Sequence, residues 1–184
     1  MMDKRVEKAK NWLKEPWNLA LVLIIIFAFA IRLYFFINTS GQTIWFDEAE
    51  YMSLAKKWAF GVPYDANPQR PPLFQFISAL AFIIGLGEAF IKFAFVLIPS
   101  TFLVFAVYLL GKEMYGKKIG IIAALLTSVS WTLLFWGARV QPDFFSMVFQ
   151  ILSLWLIWKY WKNPKTKLIA LSASFAAISF YFKI

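Results

Sequence analysis

Three short stretches of this chain carry side chains whose type and spacing suit chemistry. The first is Trp45-Phe46-Asp47-Glu48-Ala49-Glu50-Tyr51. Two carboxylates stand side by side, and a phenol follows one helical turn after the first. A carboxylate next to apolar surface is partly desolvated, which raises its pKa toward that of a general base. Tyr51 can donate a hydrogen bond to Asp47 or to a substrate, while Glu50 points elsewhere on the helix as a solvated charge. The same acids also read as a helix start, with Asp47 as N-cap of a helix running to about Phe60 and Glu48 and Glu50 in its first turn.

The second stretch is Asn67-Pro68-Gln69-Arg70-Pro71-Pro72-Leu73, held extended by its prolines. Arg70 either snorkels to lipid headgroups or is fixed in place to grip a phosphate, whose oxygens a guanidinium fork matches. The third is Ala138-Arg139-Val140-Gln141-Pro142-Asp143. Its bland reading is a first-turn acid and a snorkelling base. If it shares a face with Asp47, two acids and two arginines meet, enough for a carboxylate metal site or a pyrophosphate-like pocket. The chain contains no Cys and no His. Disulfides, thiolate or imidazole ligation and a Ser-His-Asp triad are thereby excluded.

The elements that must position these stretches are set by hydropathy. The chain has 184 residues, 61% of them hydrophobic and 16% charged, and a mean hydropathy of +0.64. An ordinary soluble domain carries about 25% charged residues, and disorder needs low hydrophobicity. A bilayer core about 30 Å thick needs about 20 apolar helical residues. Runs at 17–37, 90–111, 119–137, 143–161 and 168–184 supply candidate spans. The first is too long for a cleaved signal peptide and reads as an uncleaved anchor.

Residues 72–87 are also apolar, and the positive-inside rule decides their place. Basic clusters lie at the N-terminus, at 112–118 and at 159–167. If all three are cytoplasmic, 72–87 cannot span. It is then a juxtamembrane or re-entrant helix that starts at the twin prolines and ends at Gly85 and Gly87. The net charge of +9 is thus a topology signal, and no nucleic-acid partner is expected. The expected fold is an all-α polytopic membrane bundle, one transmembrane module over 1–184. A juxtamembrane loop at 38–89 lies outside and the N-terminus inside the plasma membrane. Arg32 and Lys92 either snorkel or face the outer cavity. Because the chain stops within its fifth span, it is expected to be the N-terminal part of a larger protein or a truncated product.

This arrangement resembles the N-terminal part of the integral-membrane glycosyltransferases of the GT-C fold, and within them the protein O-mannosyltransferases and lipid A aminoarabinose transferases. The resemblance is carried by Asp47-Glu48 followed by Tyr51, by Pro71-Pro72-Leu73, and by Ala138-Arg139 followed by Pro142-Asp143. It implies transfer of a sugar from a polyprenyl-phosphate donor to a protein, lipid or glycan acceptor on the outer face. Asp47 would be the general base or a metal ligand, Glu48 its support and Asp143 the second acid. Arg70 and Arg139 would stabilise the lipid-phosphate leaving group, with Tyr51 also on the substrate side. A metal, if used, would be Mg²⁺ or Mn²⁺ held by Asp47 and Asp143. Gln69-Arg70 departs from the acid or His that many members have before the double proline. A partner chain would complete the bundle among the membrane lipids. Two other readings are a non-catalytic lipid-binding scaffold and a small transporter component. Acids at the interface rather than mid-span weigh against the transporter.

Overall fold

The structure, a computed structural model, describes residues 4–44, 46–65 and 70–183. Trp45 and the Asn67-Pro68-Gln69 part of the second motif lie outside the described residues. Among the described residues every regular element is helical.

A short basic helix, α1 (Lys4–Leu13), precedes α2 (Pro16–Asn38). Proline opens α2, where its missing N–H has no partner to lose. Leu21 and Ala28 are buried, whereas Leu23, Ile26, Phe27 and Ile37 are exposed on the faces left to lipid. Helix α3 (Asp47–Phe60) stops at Gly61, whose φ of 71° suits a residue without a Cβ. Its N-cap is Phe46, with φ 50° and ψ −130°. Asp47 is therefore the first helical residue and makes no capping bond, contrary to the sequence expectation. A bulky residue at such a φ costs about 1–3 kcal/mol.

Helix α4 (Leu73–Ile83) follows the twin prolines. At 1.5 Å per residue it is about 16 Å long, half the thickness of a bilayer core. Phe74, Ala79 and Phe82 pack on Tyr51, Met52 and Ala55 of α3. Its other face leaves Phe76, Leu80 and Ile83 exposed.

Helix α5 (Glu88–Tyr115) is long and apolar enough to cross a membrane, as are α2 and Asp143–Lys162. A π turn at Phe93–Leu97 lies just ahead of Pro99. The wide turn makes room for a ring that would clash with the preceding turn and lacks an N–H to donate. The expected third span at 119–137 is not one helix. It divides into α6 (Lys117–Val129) and α7 (Trp131–Trp136) at Ser130, whose ψ of 115° is non-helical. The hydroxyls of Thr127 and Ser128 bond back to the carbonyls of Ala123 and Leu125. From α2, the buried Arg32 donates to the carbonyls of Thr127 and Ser128 at 3.2 Å each. These are orphan acceptors at a helix end, so a charge from a neighbouring helix caps the break. Arg32 neither snorkels nor lines the outer cavity.

Helices α8 (Asp143–Lys162) and α9 (Thr166–Phe182) form an antiparallel hairpin. The Oγ atoms of Ser146 and Ser179 lie 2.8 Å apart, and those of Ser153 and Ser172 lie 2.9 Å apart. Small hydroxyl residues let the two backbones approach closely.

Helices α5 and α6 meet at glycine as well. A Cβ on Gly120 would stand 2.9 Å from both Lys112 N and Tyr108 O. Gly120→Leu is expected to destabilise the fold by at least about 2 kcal/mol, read as a lower thermal midpoint in detergent.

The bundle has two poles. Lys117 pairs with Glu15, and Lys162 lies 3.4 Å from Glu113. The three basic clusters therefore share one end. The other end gathers α3, α4, the loop before α8 and the end of α9.

Candidate functional site

At that second pole the first turn of α3 presents Asp47, Glu48, Glu50 and Tyr51. Arg70 enters from the segment before α4 and is held by α3. Its Nη2 lies 2.5 Å from Asp47 Oδ1 and 2.6 Å from Glu50 Oε2. Its Nε donates to Glu50 at 2.9 Å and its Nη1 to the Tyr51 hydroxyl at 3.2 Å. Glu50 is thus an ion-pair partner, not the solvated charge expected. Tyr51 is fully buried and accepts from both Arg70 and Lys183, the latter at 3.1 Å. Its ring packs edge-on against Phe74. Tyr51 is thus held between the two cations and Phe74.

Glu48 is buried, at 3% exposure. Its Oε1 accepts the Val140 backbone N–H at 2.9 Å, and its Oε2 lies 3.9 Å from Arg139 Nη1. One buried carboxylate thereby ties α3 to the 138–143 loop. The carboxylate sequence in the first motif divides its labour: Asp47 faces outward and Glu48 faces the scaffold.

Asp143 opens α8. Lys183, just past α9, stands between the two aspartates, 3.8 Å from Asp47 Oδ2 and 3.6 Å from Asp143 Oδ2. The two acids expected to be neighbours are linked through this ammonium. Lys183 carries no sequence signal of a site, because a lone lysine at the end of an apolar run looks like a snorkelling base. Trp136 and Gln141 carry no such signal either.

Two cavities open here, of about 290 and 330 Å³. Both are lined by Asp47, Trp136 and Gln141. Glu48 and Arg139 line the first, and Asp143 and Lys183 the second. Lys92, buried at the start of α5, donates to Thr39 Oγ1 at 2.7 Å. It lines a separate cavity behind Glu48 and Arg139.

The electrostatics reverse one expectation. The hydrogen bond from Arg70 holds the Asp47 carboxyl below its usual range, with Lys183 adding to the effect and burial opposing it. Asp47 is ionised at neutral pH. Because its folded pKa is depressed, the stability it contributes is present above the unfolded value of about 3.9 and lost as pH falls through the folded value. The acid limb of a pH–rate profile that depends on ionised Asp47 is accordingly expected below about pH 4. A limb near pH 6 would show that Asp47 is not the group being titrated.

The site does not fit a divalent metal as it stands. Among the described residues no group of three or more acids is placed to hold one. Asp47 and Asp143 face a lysine ammonium that lies between them.

Helices long and apolar enough to cross a bilayer, with a charged pole at one end built around an open cleft, define a polytopic membrane protein with an end-on site. The sequence profile of the dolichyl-phosphate-mannose-protein mannosyltransferase family matches residues 69–184. That stretch covers more than half of the chain and holds Arg70, Arg139, Asp143 and Lys183, and the chain belongs to this family. It is a membrane glycosyltransferase of the mannosyltransferase type. No curated protein and no solved structure matches it.

Proposed function

We propose that this chain forms the catalytic pole of an enzyme that moves a sugar from a polyprenyl-phosphate donor to a hydroxyl acceptor on a protein, lipid or glycan, on the outer face of the membrane. The observation that carries the reading is the place of ionised Asp47 on two cavities, one lined by Arg139 and the other by Asp143 and Lys183. The family match supports the sugar chemistry, and the basic clusters at the opposite pole support the outward orientation.

In this mechanism Asp47 takes the proton of the acceptor hydroxyl as that oxygen attacks the anomeric carbon. The bond from that carbon to the phosphate oxygen breaks, and its electron pair stays on the phosphate. Charge grows on the leaving phosphate, so cations fixed beside it lower the barrier. Arg139 and Lys183 are those cations. Arg70 keeps Asp47 ionised and aimed instead of gripping phosphate, since its fork is occupied by Asp47, Glu50 and Tyr51. Glu48 holds the Arg139 loop in place.

The test is transfer of radiolabelled sugar from a panel of polyprenyl-phosphate sugars to Ser/Thr-rich peptides by the protein in oriented liposomes. Mannose is expected to be the preferred sugar, with activity only when donor and peptide are on the side away from the basic pole. No transfer from any polyprenyl-phosphate sugar would overturn the reading.

A further inference from the structure

The cavity of about 290 Å³ has two kinds of lining. Asp47, Glu48, Arg139 and Gln141 supply its polar lining, and Phe46 and Trp136 its aromatic lining. We propose that Phe46 and Trp136 form an aromatic platform for the pyranose ring of the donor sugar. The proposal rests on the glycosyltransferase reading above and deepens it, because it names what holds the sugar rather than what cleaves its bond.

Phe46 is the first observation. It occupies a left-handed backbone position that glycine would take without strain, with φ 50°. Its ring is nonetheless 78% exposed, so burial does not explain why a bulky side chain stands there. A strained residue whose side chain does not build the core points to a role in binding. Its neighbour in sequence is Asp47, and both line this cavity.

Trp136 is the second observation and comes from a different element. It is the last residue of α7 and is 43% exposed. The break at Ser130 aims α7 away from the line of α6, and Trp136 ends up on both cavities beside Asp47. A pyranose has the matching chemistry. Its ring C–H bonds present a weakly positive apolar face to the negative face of an aromatic ring, and its hydroxyls suit carboxylate, guanidinium and amide groups. A polyprenyl chain would need an apolar slot without the polar lining. A phosphate would gain nothing from the two rings.

The experiment uses the protein in liposomes with polyprenyl-phosphate mannose and a Ser/Thr-rich peptide. Phe46→Leu and Trp136→Leu are each expected to raise the donor KM about three- to tenfold, the range an aromatic contact supplies. Little change in kcat or in the peptide KM is expected, as for a contact made equally in ground and transition states. Phe46→Tyr keeps the ring and should keep the wild-type donor KM. Phe46→Gly removes both ring and strain, so it should raise the thermal midpoint while raising the donor KM, a split that misfolding cannot produce. A Leu variant equal to wild type would make Phe46 a lipid anchor and overturn the platform alone. A rise confined to the peptide KM would also overturn it, by placing the acceptor there. A wild type that transfers no sugar would overturn the function and the platform together.

Discussion

Asp47→Asn is expected to lower kcat/KM for sugar transfer by about 10²- to 10⁴-fold, the usual contribution of a positioned general base. Asparagine keeps the shape of aspartate and can still accept from Arg70, but it cannot take a proton. Stability should change little. The Asp47 side chain is 38% exposed, and Arg70 retains Glu50 and Tyr51 as partners. Exposed or half-exposed ion pairs contribute about 0–1 kcal/mol. The thermal midpoint should therefore move by only a few degrees, roughly 2–4 °C per kcal/mol for a domain of this size. Parallel measurement of transfer and unfolding separates the outcomes. A variant that transfers at the wild-type rate would remove Asp47 from the chemistry, whereas a variant that unfolds early would make it structural.

Arg32→Leu should show the opposite pattern, with a large loss of stability. Arg32 is 3% exposed in the middle of the bundle. It donates to Ala28 O in its own helix at 3.1 Å and to two carbonyls of α6. Removing it leaves Thr127 and Ser128 carbonyls without a donor where no water replaces it. Each orphaned acceptor costs about 1–3 kcal/mol, and relief of a buried charge offsets part of that. The net expectation is about 2–5 kcal/mol, or roughly 5–15 °C in thermal midpoint. Arg32→Lys retains charge but not the fork, and should fall between Leu and wild type. Transfer should also drop, because α7 carries Trp136 and leads into the Arg139 loop. An Arg32→Leu protein as stable as wild type would show that the helix break does not depend on its cap.

Much of this was legible in the chain. Apolar runs fixed the helices because hydropathy over about 20 residues depends on no partner. α2, α8 and α9 start and stop within two residues of the runs read for them. The short α4 followed from proline chemistry and charge parity. The break at Ser130 was not legible, since the group that caps it, Arg32, comes from a helix 95 positions away in sequence. The same limit applies to the site. Asp47, Glu48, Arg139 and Asp143 are legible by residue type and by their place beside predicted span ends. The partners of Arg70, and the position of Lys183 between two acids, are three-dimensional facts with no local signature. Asp47 itself lies ahead of the stretch matched by the family profile, so its place at the cleft rests on the packing of α3.

The two serine contacts between α8 and α9 belong to one antiparallel register. Extended to the end of the hairpin, that register sets Lys183 across from Pro142 and next to Asp143. A slip of one helical turn, about 5.4 Å, would carry the ammonium out of reach of both carboxylates. Hydroxyl pairs deep in the lipid-spanning region thus act as an index for the charge layout at the cleft. Replacing Ser153 or Ser172 would disturb chemistry whose reacting atoms neither residue touches.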